Sequence, residues 1–292
     1  MFNKVALFGV GLIGGSFALT LKKAGAVARV VGFDRSGASL ARARELGIID
    51  SIAVTVADAV RDADLVLLAA PVAQTESILA SLAPHLQAST VVTDCGSTKA
   101  DVVAAARRAL GEKIGQFVPG HPIAGRESNG PDAAIDHLFG GKKVVLAPLA
   151  ENSAQAVDCV ASAWTQCGAI IHKLSAEQHD LVFAAVSHLP HLLAYALVDD
   201  IANKPHADLL FQYAASGFRD FTRIAGSSPE MWRDISLANR TALLDELDAY
   251  MVQLGRLRVS LAAGDGPALE AVYANAQKAR HDWIRTIEAS ER

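Results

Sequence analysis

The sequence FGVGLIGGS at residues 8–16 places Gly9, Gly11 and Gly14 in the spacing G-x-G-x-x-G. The apolar run at residues 5–8 precedes these glycines, and a helical pattern follows them. In such a strand–turn–helix unit the first glycine permits the tight turn, the second lets the backbone approach a pyrophosphate, and the third allows close helix–strand packing. The helix N-terminus then faces the phosphates. The pattern therefore predicts a Rossmann-like, dinucleotide-binding fold.

The next predicted strand indicates which dinucleotide is bound. It ends in Asp34, 20 positions after Gly14. A carboxylate there can accept hydrogen bonds from the adenine-ribose 2′-hydroxyl and would repel a 2′-phosphate, so NAD is expected in preference to NADP. Arg35 keeps NADP open, because its guanidinium could pair with a phosphate or stack on adenine. Three further residues are candidate cofactor contacts: Leu12, Ile13 and Pro71.

Length and charge limit the functional classes. The chain has 292 residues, enough for two domains, and 27 basic against 31 acidic residues give a net charge of −4. Nucleic-acid binding requires a basic surface, so nucleic acid is not expected as a partner. The cysteines, Cys95, Cys159 and Cys167, match neither a disulfide framework nor a zinc-ligand pattern, so no metal is expected.

The N-terminus and one apolar segment bear on location. Residues 1–4 lead directly into the first predicted strand and leave no room for a cleavable signal, so a cytoplasmic protein is expected. Residues 181–198 are about long enough to span a bilayer, but polar residues and Pro190 interrupt them. We interpret this segment as a buried helix and expect no membrane partner.

The pattern of elements changes at residue 174. Before it, short apolar runs alternate with alanine-rich helical segments, which is typical of βαβ units and a mostly parallel sheet. The predicted strands are 5–8, 29–33, 65–69, 90–93, 116–118, 143–147 and 169–173. After it, the pattern is helical. Residues 1–174 are therefore predicted to form an α/β dinucleotide-binding domain, and residues 175–292 an all-α substrate and dimerisation domain.

The helical region suggests how the chain associates. Residues 176–201 are apolar on almost every helical face, so this helix should lie in a core or an interface. Residues 241–261 carry a narrower apolar stripe at helical spacing. A homodimer through the helical domain is expected. The alternative is a monomer in which neighbouring helices cover the apolar helix.

Two motifs follow predicted strands, at the edge where ligands bind in doubly wound sheets. In DCGSTK, residues 94–99, Ser97 could be the N-cap of the next helix, a ligand-facing hydroxyl, or both. In GHPIAG, residues 120–125, His121 lies between glycine and proline and is expected to be held by loop geometry. An imidazole with an ordinary pKa of about 6.5 can accept a proton from a substrate hydroxyl, so His121 is the preferred general acid/base candidate.

Two further motifs lie in the helical region. SHLPH at residues 187–191 places His188 and His191 three residues apart; they could be buried structural residues, a substrate-facing pair or, less plausibly, metal ligands. GFRDFTR at residues 217–223 combines two arginines with aromatic residues. Arginine binds carboxylates in a bidentate manner, although these two could also belong to a solvated surface.

Together these segments resemble the prephenate dehydrogenase family of tyrosine biosynthesis, also called arogenate or cyclohexadienyl dehydrogenases. The resemblance covers essentially the whole chain and is carried by FGVGLIGGS, TDCGSTK, GHPIAGRE, HDLVFAAVSHLPH and GFRDFTRIAGSSPEMWRDI. It implies a cytoplasmic oxidoreductase of aromatic amino acid biosynthesis that oxidatively decarboxylates prephenate to 4-hydroxyphenylpyruvate, or arogenate to tyrosine. It also implies a Rossmann-like domain followed by a helical dimerisation domain.

The resemblance assigns roles by motif position. His121 resembles the histidine that deprotonates the ring hydroxyl, Ser97 the residue that orients it, and Arg223 the arginine that binds a carboxylate. Further positions match the substrate pocket: His191, Arg219, Gly217 and Trp232. The pair Arg126-Glu127 could favour the ketoacid prephenate or, through Glu127, recognise the ammonium group of arogenate.

Two other functions stay open. A β-hydroxyacid or imine dehydrogenase would have the same layout but typically uses a lysine on an interdomain helix, and no lysine lies between residues 176 and 203. A protein that only senses NAD would bind NADH without turning over any cyclohexadienol. The presence of Ser97, His121 and Arg223 counts against that second alternative.

Overall fold

The computed structural model describes residues 1–126 and 128–290, excluding the side chains of residues 288–290. The strands are β1 (Phe2–Phe8), β2 (Val27–Phe33), β3 (Ser51–Ile52), β4 (Leu65–Leu68), β5 (Val91–Asp94), β6 (Phe117–Val118), β7 (Gly120–Pro122), β8 (Lys143–Leu146) and β9 (Ile170–Lys173). The helices before β9 are α1 (Leu12–Lys23), α2 (Gly37–Glu45), α3 (Val56–Val60), α4 (Thr75–Leu82), α5 (Ala100–Leu110) and α6 (Ala154–Gln166). After β9 come α7 (Ala176–Phe183), α8 (Leu189–Ala202), α9 (Ala207–Gln212), α10 (Ser216–Thr222), α11 (Pro229–Ala238), α12 (Arg240–Ala263) and α13 (Gly266–Ser290).

A parallel sheet of six strands forms the centre of the first part of the chain. Its order is β3-β2-β1-β4-β5-β6, and every neighbouring pair is parallel. Along β1, Val5 and Leu7 enter one buried cluster, whereas Ala6 and Phe8 enter another. Both faces of the sheet are therefore covered, which explains the continuous apolar runs in its strands. The predicted Rossmann-like fold is confirmed.

All seven predicted strands are present, but the last ones do not extend the main sheet. Strands β7, β8 and β9 form a separate sheet in that order, with β7 antiparallel to β8 and β8 parallel to β9. The chain leaves the main sheet at Pro119, and the amide of Gly120 donates to the side chain of Asp94 at 2.9 Å. The short strands β3 and β7 were not predicted, because two or three residues give too little periodic signal.

The apolar segment 176–202 is one continuous helix, in which a π-helical turn, Ala184–His188, lies between the α-helical parts α7 and α8. Pro190 follows directly after this turn, where the wider π-helical spacing accommodates a residue without an N–H. In the single chain this helix is largely exposed: 28% of the most apolar window is buried, and Leu181 and Val186 are 58% and 66% exposed. A core position is therefore wrong for the single chain, and the interface position stays a prediction. By length and composition alone, this segment could also cross a membrane.

The chain divides into two compact units, residues 1–240 and 241–292. The first contains all the strands of the described residues together with α1–α11. The second consists of α13 and nearly all of α12, and the turn between these helices contains Gly264 at a φ of +65°. The predicted boundary at residue 174 marks the end of the last strand, β9.

Candidate active site

The glycine turn between β1 and α1 has the geometry that the sequence predicts. Gly9 has a φ of +103°, and a Cβ there would lie 2.4 Å from the carbonyl oxygen of Ala69. A Cβ on Gly14 would lie 2.2 Å from the carbonyl oxygen of Gly9. Side chains are therefore excluded at both positions. A Cβ on Gly11 would meet no described atom within 4 Å, so the backbone at this N-cap is open to a ligand.

Asp34 lies beside this turn, at the end of β2. Its carboxylate accepts hydrogen bonds from the amides of Val10 at 3.2 Å and Ser36 at 2.9 Å, which fix its position. The side chain is half-buried, and Arg35 is exposed. A backbone turn open to a pyrophosphate and a fixed carboxylate at the end of β2 fit the adenine half of NAD.

A cavity of about 430 Å³ opens at the carboxyl edge of the main sheet. Its lining includes candidate residues from three separate motifs, together with the candidate cofactor contact Pro71: Gly11, Leu12, Ile13, Ser97 and His121. The other wall comes from α11 and the residues just before it, through Ser228, Met231, Asp234 and Ile235. The cofactor turn and the candidate base thus share one cavity.

Ser97 is not the cap of the helix that follows it. The N-cap position of α5 is Lys99, and the amides of Lys99 and Ala100 each donate to the carboxylate of Asp180 at 2.8 Å. The Ser97 side chain is half-buried on the cavity wall instead. Of the two roles that the sequence left open for Ser97, the geometry favours the ligand-facing one.

His121 lies on a strand, so the expectation that a loop holds it is wrong. It is the central residue of β7 and pairs with Val145 of β8. Pro122 is compatible with this position because β7 is an edge strand, which does not require every backbone N–H. The half-buried His121 ring is thereby held by a sheet rather than by a mobile segment.

The ring of His121 contacts a second histidine that sequence reasoning missed. Its Nδ1 lies 2.8 Å from Nε2 of His179, and Nδ1 of His179 lies 2.8 Å from Oδ1 of Asp180. His179 and Asp180 are both buried and belong to α7. The segment HDLVFAAVSHLPH begins with this pair, but the spacing along the chain gave no sign that α7 meets β7.

A buried ion pair lies between the loop that carries Ser97 and strand β7. The ammonium of Lys99 lies 2.5 Å from the carboxylate of Asp94, and their side chains are 0% and 3% exposed. The same carboxylate accepts hydrogen bonds from the amides of Gly96 and Gly120 at 2.8 and 2.9 Å. Asp94 therefore connects the loop that carries Ser97 to the strand that carries His121.

These surroundings keep His121 neutral. Burial lowers the pKa of His121 well below its ordinary value, and the nearby His179, Lys99 and His188 lower it further. Burial also lowers the pKa of His188 to about 4. A neutral imidazole at neutral pH is the form that can accept a proton.

A second group of predicted residues lies around α8 and α11. The rings of His191 and Trp232 stack with centroids 3.5 Å apart, and Nδ1 of His191 donates to the carbonyl of Ser187 at 2.8 Å. Burial lowers the pKa of His191, the hydrogen bond to Ser187 opposes this effect, and the positive charge of Arg223 lowers the pKa further. The 3₁₀ turn that begins at Arg223 packs against α8, which carries His191. These three residues form one group outside the lining of the cavity.

Of the other candidate residues, His188 joins that group, since its ring lies edge-on to Trp232 with centroids 6.1 Å apart. Arg219 and Gly217 lie on α10 and are exposed. Glu127 lies outside the described residues. His188 is buried, and its Nδ1 accepts from the side-chain amide of Asn239 at 3.1 Å.

Within the described ranges, no group of three His, Cys, Asp or Glu side chains could hold a metal ion.

Two family models match almost the whole chain. The model for the nucleotide-binding domain of prephenate dehydrogenase matches residues 17–173. The model for the dimerization domain of prephenate dehydrogenase matches residues 175–288. The second match supports the predicted homodimer.

Individual relatives agree. The chain is 40% identical to a cyclohexadienyl dehydrogenase from Zymomonas mobilis, with 96% of each chain covered, and 37% identical to prephenate dehydrogenase from Bacillus subtilis, with 96% of this chain and 76% of the relative covered. The crystal structure of A. aeolicus prephenate dehydrogenase in complex with hydroxyphenyl propionate and NAD+ matches with a TM-score of 0.90 at 36% identity, covering 97% of this chain and 98% of that one. The chain is therefore an NAD-binding oxidoreductase and belongs to the prephenate dehydrogenase family.

Proposed function

We propose that this protein oxidatively decarboxylates prephenate to 4-hydroxyphenylpyruvate with NAD. The observation that carries the proposal is the shared cavity, in which the neutral His121 and the hydroxyl of Ser97 lie on the same lining as the glycine turn. Prephenate is a dianionic cyclohexadienol, so its oxidation requires a base for the ring hydroxyl and cations for its carboxylates.

The chain's own residues would hold the cofactor at the glycine turn. The open backbone at Gly11 and the N-terminus of α1 would bind the pyrophosphate, and Asp34 would accept from the adenine-ribose hydroxyls. Leu12, Ile13 and Pro71 would line the path of the dinucleotide along the cavity. When bound, NAD supplies the acceptor for the hydrogen and electron pair that leave C4 of the ring.

His121 is the proposed base. It accepts the proton of the ring hydroxyl while the C4 carbon–hydrogen bond breaks, and Ser97 orients the hydroxyl by a hydrogen bond. The ring carboxylate leaves as carbon dioxide, and its bonding electrons complete the aromatic ring. The phenolate oxygen then takes the proton back from His121, which gives 4-hydroxyphenylpyruvate.

The arginine side of the site is proposed to bind the substrate's carboxylates. Arg223 is the principal candidate because it lies near the stacked pair of His191 and Trp232. A guanidinium suits a carboxylate because it offers two parallel N–H donors. Arg219 and Gly217 are proposed as further contacts.

Arogenate is the alternative substrate. It differs from prephenate in its side chain, which carries an ammonium group in place of the keto group. Glu127 follows the GHPIAG motif and is the proposed partner of that ammonium. The similarity to an enzyme named cyclohexadienyl dehydrogenase supports testing both substrates.

The remaining proposals concern organisation. We assign residues 1–174 to cofactor binding and residues 175–292 to substrate binding and dimerisation, as the family boundaries near residue 174 support. The exposed apolar side chains of α7–α9, among them Leu181 and Leu209, would pack in a homodimer. We also propose a cytoplasmic location, without nucleic-acid or membrane partners.

NADH formation tests the proposed function. The purified protein is given NAD with prephenate or arogenate, and both assays are repeated with NADP. Turnover of prephenate with NAD, and less with NADP, is expected. If neither substrate is oxidised by protein that binds NADH in a separate titration, the prephenate and arogenate assignments are both wrong.

A further inference from the structure

A chain of three side chains leads from the cavity to the N-terminus of α5. At its far end, the Asp180 carboxylate accepts hydrogen bonds from the amides of Lys99 and Ala100 and from Nδ1 of His179, each at 2.8 Å. Burial alone would raise the pKa of Asp180, but the hydrogen bonds from His179, Ala100 and Lys99 outweigh it and lower that pKa. Asp180 is therefore ionised, and an ionised carboxylate can only accept hydrogen bonds.

The ionised carboxylate determines which ring nitrogen of His179 carries the hydrogen. Because Asp180 only accepts, Nδ1 of His179 must donate to it. Burial lowers the pKa of His179, so its ring is neutral and carries one N–H. Nε2 of His179 is then a lone-pair acceptor, and it lies 2.8 Å from Nδ1 of His121.

The same reasoning applies to the ring of His121, the proposed base. Since Nε2 of His179 accepts, Nδ1 of His121 must donate, and the neutral ring of His121 has no hydrogen on Nε2. We propose that His179 and Asp180 are positioning residues, which hold His121 in the Nδ1–H tautomer and so leave its Nε2 lone pair to accept the substrate proton. This inference rests on the proposed role of His121 as the base.

The arrangement also stabilises the product of proton transfer. When Nε2 of His121 takes the proton of the substrate hydroxyl, the ring becomes an imidazolium that still donates from Nδ1 to His179. The negative charge of Asp180 then acts on it through His179, and no proton moves along the chain. A carboxylate that orients a catalytic imidazole without becoming protonated is known from other enzymes.

Other charged and titratable groups around His121 do not supply this orientation. Lys99 lies in the loop before α5 and is paired with Asp94, and His188 lies on the π-helical turn and bonds to Asn239. Both act on the pKa of His121 through their charge, whereas His179 is the group hydrogen-bonded to its ring.

Two variants at one position separate tautomer control from packing. In His179→Gln the side-chain carbonyl can accept from Nδ1 of His121 and the amide can donate to Asp180. In His179→Phe the ring keeps its tilted contact with Phe183, whose centroid is 4.4 Å away, but both hydrogen bonds are lost. We expect kcat within about 10-fold of the wild type for Gln and a loss of roughly 10²-fold or more for Phe.

Control measurements exclude a general structural effect. NADH affinity and Tm are expected to be similar in the two variants, so the difference should lie in kcat. If kcat depended on packing, Phe would retain it and Gln would lose it, so a loss in Gln as large as or larger than the loss in Phe would contradict the role in tautomer control, and no loss in either would remove His179 from the mechanism. Either result overturns the inference.

The tautomer itself is read by ¹⁵N NMR of the histidine rings, with the His121 signals assigned from their loss in His121→Asn. The expected spectrum shows hydrogen on Nδ1 and a bare Nε2 in the wild type, with this preference retained in His179→Gln and lost in His179→Phe. Hydrogen on Nε2 in the wild type, or an unchanged spectrum in His179→Phe, would contradict the inference. The readout needs no substrate, so it is independent of whether prephenate is oxidised.

Discussion

Buried hydrogen bonds hold the elements that carry His121 and Ser97, whereas the arginines proposed to bind the substrate lie on short, exposed elements. We call the first group the rigid side of the site and the second the arginine side. On the first side, the buried carboxylate of Asp94 ties the Ser97 loop to β7 through two backbone amides and the ammonium of Lys99. On the second side, α10 contains no buried residue, and neither does the 3₁₀ turn Arg223–Gly226.

The difference separates two requirements of the proposed reaction. A base must be held within a narrow geometry before the substrate arrives, because catalysis depends on preorganised groups. A carboxylate-binding arginine can be positioned by the substrate itself or by a second subunit. The exposed apolar side chains next to the arginines, such as Phe221 at 52% exposure, fit completion of this side in a dimer.

The largest expected effect comes from removing the base on the rigid side. We expect His121→Asn to lower kcat by roughly 10² to 10⁴-fold, because general acid–base catalysis contributes that much. The affinity for NADH should not change, since His121 is not among the residues that would hold the pyrophosphate or ribose. Steady-state kinetics and a fluorescence titration measure both. Normal turnover in this variant would remove His121 from the mechanism.

Removing the cation of the buried Lys99–Asp94 pair tests how much this pair contributes to the stability of the protein. Lys99→Met leaves the Asp94 carboxylate buried without its cation, and we expect a loss of about 3–5 kcal/mol in the free energy of unfolding. Urea denaturation measures the loss. Arg108→Met, which breaks the surface pair with Glu76, serves as the control and should change stability little. A small loss in Lys99→Met would show that Asp94 is satisfied by the amides alone.

The arginine side should respond in KM rather than in kcat. We expect Arg223→Ala to raise the KM for prephenate by roughly 10- to 100-fold, the range for losing a charge-assisted hydrogen bond. Arg219→Ala is the matched variant and should have the smaller effect, since Arg223 is the arginine whose charge reaches His191. Equal changes in the two variants would mean that the arginines share the carboxylate.

Asp34 tests whether the rigid side extends to the cofactor. Its carboxylate is held by two backbone amides, so it should discriminate between NAD and NADP before either binds. We expect Asp34→Ala to reduce the preference for NAD over NADP by roughly tenfold. The ratio of kcat/KM for the two cofactors measures this preference, and an unchanged ratio would assign it elsewhere.

The sequence predicted which residues lie on the rigid side, but not the strand pairing that holds them. The glycine turn, Asp34, Ser97 and His121 could be placed because each follows a strand, and the carboxyl ends of parallel strands meet at one edge. The pairing of His121 with Val145 could not be predicted, because three residues that include a proline give no strand signal.

The contacts of α7 with β7 and α5 could not be predicted from the sequence, for a different reason. His179 and Asp180 reach β7 and α5 across 58 and about 80 residues of chain, and local patterns carry no information on such contacts. The choice between a core and an interface for segment 176–202 stayed open in the sequence, because composition alone cannot tell a core helix from an interface helix.

The pH dependence of kcat/KM for prephenate tests most directly the claim that a half-buried, neutral His121 is the base. Because burial lowers the pKa of His121, and His179, Lys99 and His188 surround it, the base form should persist below the ordinary histidine pKa of about 6.5. The account predicts that kcat/KM changes little as the pH falls from about 8 to about 6.5 and declines only below that. A decline centred at or above about 6.5 would contradict it.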